Sequence, residues 1–185
     1  MSARSTPARR LVVLRHAKAE REPFHSDRLR PLSLVGRRQA GGVGARLAAD
    51  GVVPELVLVS SAVRTHQTWD LMRAQLGPVE PEVLLLDDLY DADVERLLSL
   101  VQGTDDRVRS VLVVGHEPTV SRTAARLAGD GSDPSAVALT RVGVPTATFA
   151  TLEFDAPWAT LGPGTARLRT VVTIPKNASA TFGRP

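Results

Sequence analysis

The segment LVVLRHA, residues 11–17, joins a four-residue apolar run directly to an arginine and a histidine. A short, uninterrupted apolar run is typical of a strand that is buried on both faces of a parallel sheet. In open α/β sheets, ligands bind beyond the carboxyl ends of the strands. The segment therefore predicts a parallel sheet, and it places Arg15 and His16 at the sheet edge where a ligand site is expected.

The same apolar texture recurs along the chain and alternates with segments of helical spacing. The predicted buried strands cover residues 11–14, 56–59, 83–86 and 111–114. The predicted helices cover residues 33–50, 62–76, 93–101 and 118–127. Residues 146–154 and 168–174 are predicted as later strands. The alternation predicts an α/β fold, a three-layer sandwich with a mostly parallel central sheet, helices on both faces and an antiparallel edge strand.

The chain has 185 residues, enough for one domain with a full hydrophobic core and short for two. We predict a single domain over residues 11–175, a flexible tail over residues 1–10 and a disordered tail over residues 176–185. Residues 130–134 and 157–164 are predicted loops. The sequence contains no internal repeat and no sign of a second domain.

Composition excludes several classes of protein. The chain has no cysteine, which excludes disulfides, thiolate metal sites and cysteine-based phosphatase chemistry. Aromatic residues make up only 4% of the chain, which argues against a nucleic-acid platform of exposed rings. No apolar run approaches the roughly 20 residues of a membrane span, and the polar, basic start of the chain lacks a signal-peptide core. We therefore expect a cytoplasmic protein that does not bind a membrane.

The formal net charge is +3 and the isoelectric point is about 10.1. A positive balance suits an anionic substrate, and it would also suit nucleic acid. Because the basic residues are spread along the chain without forming a stripe, we expect no nucleic-acid partner. No cluster of His, Asp and Glu has the spacing of metal ligands, so we expect no metal and no cofactor.

Four polar residues follow three of the predicted parallel strands. Arg15 and His16 end the first strand, Arg64 lies in the first turn of the helix after the second, and His116 ends the fourth. Because the carboxyl ends of parallel strands meet at one edge of a sheet, we expect these four side chains to converge.

The chemistry of this group is that of phosphoryl transfer. A neutral imidazole can attack phosphorus and carry the phosphoryl group as a covalent intermediate. Arginine offers a planar fork of donors for phosphate oxygens, and Arg64 near a helix N-terminus adds free N–H groups that favour an anion. A second histidine can donate a hydrogen bond to a phosphate oxygen. The four residues therefore predict a metal-independent phosphatase.

Four segments also resemble motifs of the histidine phosphatase superfamily. They are LRHA at residues 14–17, PLSLVGRRQA at 31–40, SSAVRTHQT at 60–68 and VVGHEP at 113–118. The family signature is usually Arg-His-Gly, and Ala17 stands here in place of the glycine. The segments follow the family order over residues 11–128. The short chain, Lys18 after the signature and the Arg30-Pro31-Leu32 step look most like the SixA-type phosphohistidine phosphatase branch.

The resemblance implies a phosphoglycerate mutase-like fold and a role for each matched residue. His16 would be the phosphorylated nucleophile, and Arg15, Arg64 and His116 would bind the phosphate. The insertions that close over sugar phosphates in the mutase branch are not evident, so a mutase is not expected. Lys18 and Arg30 are candidates for the rim of the pocket, although a surface role fits Lys18 equally well.

The general acid that protonates the leaving group is left open. Larger relatives use an acidic residue, and the candidates here are Glu117, Asp88 and Asp91, with Asp87 as a further one. SixA-type proteins often have no obvious acid, because the imidazole that leaves a phosphoramidate needs less help. An enzyme without a general acid is therefore an equal alternative.

The substrate is also left open. Phosphohistidine on a protein is our first expectation, because a small open pocket suits a bulky partner. A small phosphomonoester such as a sugar phosphate or nucleotide is the alternative. A non-catalytic module that binds phosphate is a third reading.

Overall fold

The computed structural model describes residues 8–21 and 26–177. Six strands are present: β1 (Arg9–Arg15), β2 (Leu56–Ser60), β3 (Glu82–Leu86), β4 (Ser110–Gly115), β5 (Thr148–Phe154) and β6 (Arg167–Thr173). Five α-helices accompany them: α1 (Leu34–Ala49), α2 (Val63–Arg73), α3 (Val94–Gln102), α4 (Thr119–Leu127) and α5 (Pro134–Arg141). The strands form one sheet in the order β3-β2-β4-β1-β5-β6.

The sheet confirms the predicted α/β fold. Strands β3, β2, β4 and β1 are parallel to their neighbours in that series. Strand β5 runs antiparallel to β1, and β6 at the edge runs antiparallel to β5. The antiparallel part of the sheet therefore comprises two pairings rather than a single edge strand.

The two faces of β1 pack into separate cores, which explains its continuous apolar sequence. Leu11 and Val13 pack with apolar residues of α3, α4 and α5. Val12 and Leu14 pack with apolar residues of α1 and α2, among them Trp69 and Met72. Since side chains alternate across a strand, four successive apolar residues serve both cores. Helices thus cover both faces, as the three-layer prediction requires.

Three details differ from the sequence-based expectations. Strand β1 begins at Arg9, so the predicted tail over residues 1–10 overlaps the domain by two residues. Arg9 is buried on the sheet, and its guanidinium donates to Asp106 and to the carbonyl of Ala156. The long aliphatic part of an arginine can cover apolar surface while its guanidinium binds polar partners. The strand was predicted from its apolar residues alone, so its start at Arg9 was missed. Residues 1–7 and 178–185 of the two predicted tails lie outside the described residues.

The second difference is helix α5, which the sequence analysis did not predict. It begins at Pro134, the end of a predicted loop, and the Asp133 side chain caps it by accepting from Ala136 N at 2.8 Å. Proline at the first helical position after an aspartate cap is a helix-start signal. Only Ala136 and Thr140 are buried, so the helix lacks the apolar periodicity that would have marked it.

The third difference concerns β3, which the apolar run at residues 83–86 predicted as buried. It is an edge strand, and Val83, Leu84 and Leu85 are exposed. An apolar run does not distinguish a central strand from an edge strand, because both pair along at least one side. None of the helices within the described residues is long and apolar enough to cross a membrane.

Candidate active site

The ends of β1, β2 and β4 meet at one edge of the sheet and bring together the four residues that the sequence singled out. His16 directly follows β1 and is 8% exposed. Its ring centroid lies 5.3 Å from that of His116, which follows β4. Arg64 occupies the first turn of α2 and is 5% exposed. The parallel register of the three strands is what aligns these segments.

Two hydrogen bonds fix the tautomer of His16. Its Nδ1 lies 2.7 Å from the carbonyl oxygen of Ala17, so Nδ1 carries the proton and donates it. The Nε of Arg64 donates to His16 Nε2 at 3.2 Å, so Nε2 presents its lone pair. The nitrogen that faces the site is therefore the nucleophilic one.

His116 is held in the opposite tautomer. Arg64 Nη2 lies 3.3 Å from its Nδ1, and because arginine only donates, Nδ1 is an acceptor. His116 Nε2 then carries the proton and donates to Ser60 Oγ at 2.7 Å. Ser60 ends β2, so two neighbouring strand ends hold the ring.

Burial keeps both imidazoles neutral. Loss of solvent lowers the pKa of His16 to about 3, and the nearby charges of His116, Arg64 and Arg15 act in the same direction. Loss of solvent, followed by the charge of Arg64, lowers the pKa of His116 to about 4. A neutral imidazole with an unprotonated ring nitrogen is the form that can act as a nucleophile.

Arg64 uses its two edges differently. The Nε and Nη2 edge faces the imidazoles of His16 and His116. On the other edge, Nη1 donates to the carbonyl oxygen of Asp27 at 2.7 Å and Nη2 donates to Asp27 Oδ2 at 2.9 Å. Asp27 therefore holds the guanidinium with one edge turned toward the space between the imidazoles.

Asp27 belongs to a group of side chains that includes Tyr90, a residue that sequence reasoning missed. Burial opposes ionisation of its carboxyl, but hydrogen bonds from Tyr90 and Arg30 and the charge of Arg64 hold its pKa at about 2. The Tyr90 hydroxyl donates to Asp27 Oδ2 at 2.8 Å, and its ring meets His116 edge-on with centroids 5.6 Å apart. The guanidinium of Arg28 stacks 4.3 Å above the same ring. Tyr90 lies just past the end of β3, so the strand-end rule could have found it.

The PLSLVGRRQA segment, residues 31–40, supports the backbone beside the nucleophile. The Ser33 hydroxyl donates to Lys18 O at 3.1 Å and caps α1 by accepting from Gly36 N. Gln39 accepts from Lys18 N at 3.2 Å and donates to Ile174 O at 2.9 Å. A Cβ on Gly36 would lie 1.9 Å from Lys18 O. Only glycine therefore allows α1 to lie this close to the segment that follows β1.

Two threonines of the SSAVRTHQT segment, residues 60–68, complete the support. Ala17 N donates to Thr68 Oγ1 at 3.0 Å, and Thr68 Oγ1 donates in turn to Arg64 O at 2.6 Å. Thr68 thereby links the segment after His16 to the helix that carries Arg64. The Thr65 hydroxyl lies 2.7 Å from Ser60 O and joins the end of β2 to the start of α2.

Arg15 lies beside the group but is turned toward a different partner. Its Nη1 donates to the carbonyl oxygen of Val144 at 2.6 Å. Desolvation lowers the pKa of Arg15, and the charge of Glu117 opposes that shift. Its Nε is buried and has no partner in the part of the chain that the structure describes.

The carboxyl groups proposed as general acids are placed as follows. Both oxygens of Glu117 accept from backbone amides, Val144 N at 2.6 Å and Ser121 N at 3.0 Å. Asp88 pairs with Arg96 at the surface, and Asp91 is exposed. Asp87 is exposed and accepts from Ser61 Oγ at 2.6 Å and Arg28 Nη1 at 2.5 Å. None of these carboxyls hydrogen-bonds to His16, Arg64 or His116 among the described residues.

A cavity of about 320 Å³ opens beside His16. Its lining includes the two predicted rim residues, Lys18 and Arg30. Over residues 8–21 and 26–177, no group of three or more His, Cys, Asp or Glu side chains could hold a metal ion.

Sequence comparison finds relatives along most of the chain. The model of the histidine phosphatase superfamily (branch 1) matches residues 11–100. An uncharacterized protein of Mycobacterium tuberculosis is 34% identical over 156 residues, which is 84% of this chain and 96% of that protein. An uncharacterized chloroplastic protein of Arabidopsis thaliana is 31% identical over 132 residues, 66% of this chain and 60% of that protein.

Solved structures give a consistent picture. A candidate phosphohistidine phosphatase SixA from Nakamurella multipartitia superposes with a TM-score of 0.80 at 32% identity, over 92% of this chain and 98% of that one. The protein histidine phosphatase SixA in complex with tungstate gives 0.72 at 25% identity, over 89% and 96% of the two chains. These similarities agree with the resemblance read from the sequence motifs.

Proposed function

The chain belongs to the histidine phosphatase superfamily, and from that premise we propose that it removes phosphoryl groups through a covalent intermediate on His16, with phosphohistidine on a protein as the substrate. One observation carries the proposal. His16 is buried with Nδ1 donating to Ala17 O, so the lone pair of Nε2 faces Arg64 and His116.

In the first step, the lone pair of His16 Nε2 attacks phosphorus and a P–N or P–O bond to the leaving group breaks. The electron pair of that bond stays on the leaving atom, which takes a proton. Positive charge develops on the His16 ring, and the bond from Nδ1–H to Ala17 O stabilises it. As Nε2 attacks, the Nε of Arg64 leaves that nitrogen, and Arg64 and Arg15 donate to the equatorial oxygens.

In the second step, water attacks phosphorus and the P–Nε2 bond breaks. The electron pair returns to Nε2, one proton of the attacking water passes to solvent, and the remaining hydroxyl leaves as part of the phosphate. The neutral state of His16 is restored directly, because burial holds its pKa at about 3. His116 can turn a ring N–H from Ser60 to a phosphoryl oxygen in either step.

The lack of a carboxyl group placed to protonate the leaving group favours a phosphoramidate substrate. Both oxygens of Glu117 are occupied by backbone amides, and Asp88 pairs with Arg96 at the surface. An imidazole that leaves phosphohistidine can take its proton from water, whereas an alkoxide leaving group needs a positioned acid. We therefore propose that no carboxyl group acts as general acid here. The similarity to SixA proteins supports the same substrate class.

A small phosphomonoester remains the second candidate. The cavity of about 320 Å³ beside His16 could accept a metabolite. The discriminating experiment compares release of phosphate from a protein phosphorylated on histidine with release from a panel of sugar phosphates and nucleotides. A kcat/KM for the phosphoprotein at least 100-fold above the best metabolite supports the proposal. A reversed order assigns the enzyme to metabolites, and phosphoprotein binding without release would indicate a non-catalytic module.

The mechanism needs no metal, because arginine side chains stabilise the negative charge on the phosphoryl oxygens. We predict that dialysis against EDTA leaves kcat/KM unchanged within two-fold. Tungstate or vanadate should inhibit the same preparation, because both resemble the phosphoryl group in the transition state. A loss of activity on chelation that added Mg²⁺ or Zn²⁺ restores would contradict the metal-free mechanism. The cytoplasmic location and the absence of a nucleic-acid partner stay predictions.

A further inference from the structure

The cavity beside His16 carries more positive charge than one phosphoryl group requires. Its lining residues are Arg15, His16, Lys18, Ala19, Arg21, Arg30, Thr146 and Lys176. Five of these eight side chains are cationic, and none of the lining residues in the described part of the chain is a carboxylate. Such a one-sided lining concentrates positive potential at a single place on the surface.

The proposed mechanism assigns His16, Arg64, His116 and Arg15 to the scissile phosphoryl group. Lys18, Arg21 and Lys176 stand outside that group. Their side chains make no hydrogen bond or ion pair within residues 8–21 and 26–177, and unlike other exposed cations without a partner, such as Arg73 and Arg122, they share one cavity. These three cations are therefore free to meet a ligand.

The frame that carries Lys18 is rigid. Its backbone N–H and C=O are held by Gln39 and Ser33 of the α1 motif. Arg30 on the opposite wall is fixed by Asp27 Oδ1 at 2.7 Å and by Glu20 O at 3.0 Å. Because its guanidinium is held in place, Arg30 loses little freedom when an anion binds, whereas only the backbone of Lys18 is fixed.

A second cavity of about 420 Å³ continues past Lys18 and Arg21. It is lined in addition by Glu20, Ser33, Leu34 and Val35, so its charge is mixed. Of the two cavities, only the one next to His16 has a lining without a carboxylate among the described residues. An anionic group is therefore best accommodated close to the scissile phosphoryl group.

We propose that the cavity lined by Lys18, Arg21, Arg30 and Lys176 is a second anion subsite, and that the substrate carries a further carboxylate or phosphate next to the phosphoryl group that is removed. This inference rests on the proposed function, since it specifies the substrate of the same site. In a phosphoprotein the second anion would be an acidic residue beside the phosphohistidine. In a metabolite it would be a second acidic group on the same small molecule.

The experiment has a turnover arm and a binding arm. Turnover compares two phosphohistidine peptides, one with glutamate and one with alanine on both sides of the phosphohistidine, and also compares 3-carboxyphenyl phosphate with phenyl phosphate. Binding compares methylenediphosphonate with methylphosphonate by calorimetry, which requires no chemistry. Each pair is measured on the wild type, on the double variant K18A/R21A and on R73A/R107A. The last removes two exposed arginines remote from the cavity.

We expect the ligand with the extra anion to be preferred about ten-fold, a factor that one partly screened ion pair supplies. K18A/R21A should reduce the ratio to near one, and R73A/R107A should leave it unchanged. Preference for the acidic peptide alone identifies a protein segment as the source, and preference for 3-carboxyphenyl phosphate alone identifies a metabolite.

Equal binding of the two phosphonates overturns the subsite, whatever the turnover shows. A preference that K18A/R21A and R73A/R107A reduce equally overturns it too, because it would then reflect net charge alone. If the diphosphonate preference holds while no substrate is turned over, the subsite stands and the phosphatase proposal fails.

Discussion

The two active-site imidazoles are set by their neighbours into opposite tautomers. Ala17 O accepts from His16 Nδ1, and Arg64 donates both to His16 Nε2 and to His116 Nδ1. The sequence motifs could name these residues, because each follows a parallel strand. They could not give the tautomers, which depend on a carbonyl orientation and on the way Asp27 turns the Arg64 guanidinium.

The buried state of His16 has a consequence for stability. Its folded pKa of about 3 is below the value of about 6.5 for an exposed imidazole, so between these pH values the unfolded chain binds more protons. The stabilising contribution is complete above about pH 6.5 and is lost as the pH falls. At pH 5 this loss is on the order of 2 kcal/mol.

Urea unfolding at pH 7 and at pH 5 tests this effect. The wild type should lose about 2 kcal/mol more of its free energy of unfolding than His16→Gln does between the two pH values. His66→Gln, which removes an exposed imidazole on α2, is the matched control and should follow the wild type. An identical pH dependence of wild type and His16→Gln would show that the His16 pKa is not depressed.

Arg64 acts through the shape of its guanidinium as well as through its charge. Arg64→Lys keeps the charge but loses the Nε and Nη2 edge that faces both imidazoles. We expect kcat/KM to fall about 100-fold or more, as for the loss of a donor that stabilises transition-state charge. Arg73→Lys, at the exposed end of the same helix, should have wild-type kinetics. Full activity of a folded Arg64→Lys enzyme would refute this role.

The motif residues of helix α1 have a structural role beside the catalytic residues. Ser33, Gly36 and Gln39 lie on the face that meets Lys18, and none of them contacts the nucleophile itself. Helical spacing predicted this element with nearly correct bounds, because its buried face is continuous. Helix α5 and the edge position of β3 escaped prediction, since the first buries only two residues and the second exposes apolar ones.

Two glycines of α1 offer a direct comparison. A Cβ at Gly36 would lie 1.9 Å from Lys18 O, so Gly36→Ala must push the helix away from the segment after His16. We expect a loss of about 3 kcal/mol in the free energy of unfolding. Gly41→Ala meets no atom within 4 Å and should stabilise the protein by about 0.5–1 kcal/mol. Similar effects of the two substitutions in urea unfolding would contradict the close approach at Gly36.

The site as a unit is a product of topology. Three parallel strands end at one edge, and this arrangement brings residues 48 and 52 positions apart, such as His16 with Arg64 and Arg64 with His116, into hydrogen-bond distance. The strand-end rule was sufficient to predict that convergence. The cationic cavity was not predicted beyond Lys18 and Arg30, because Arg21, Thr146 and Lys176 reach it from separate loops and from the end of β6.

The proposal depends most on a phosphoryl group that passes through His16. The most direct measurement is rapid mixing with a substrate labelled on its phosphoryl group, followed by an alkaline quench and mass spectrometry of the peptides. We predict acid-labile phosphate on Nε2 of His16 within the first turnover, and no labelled protein and no turnover with His16→Ala. Label on another residue, or undiminished turnover by His16→Ala, would contradict the account.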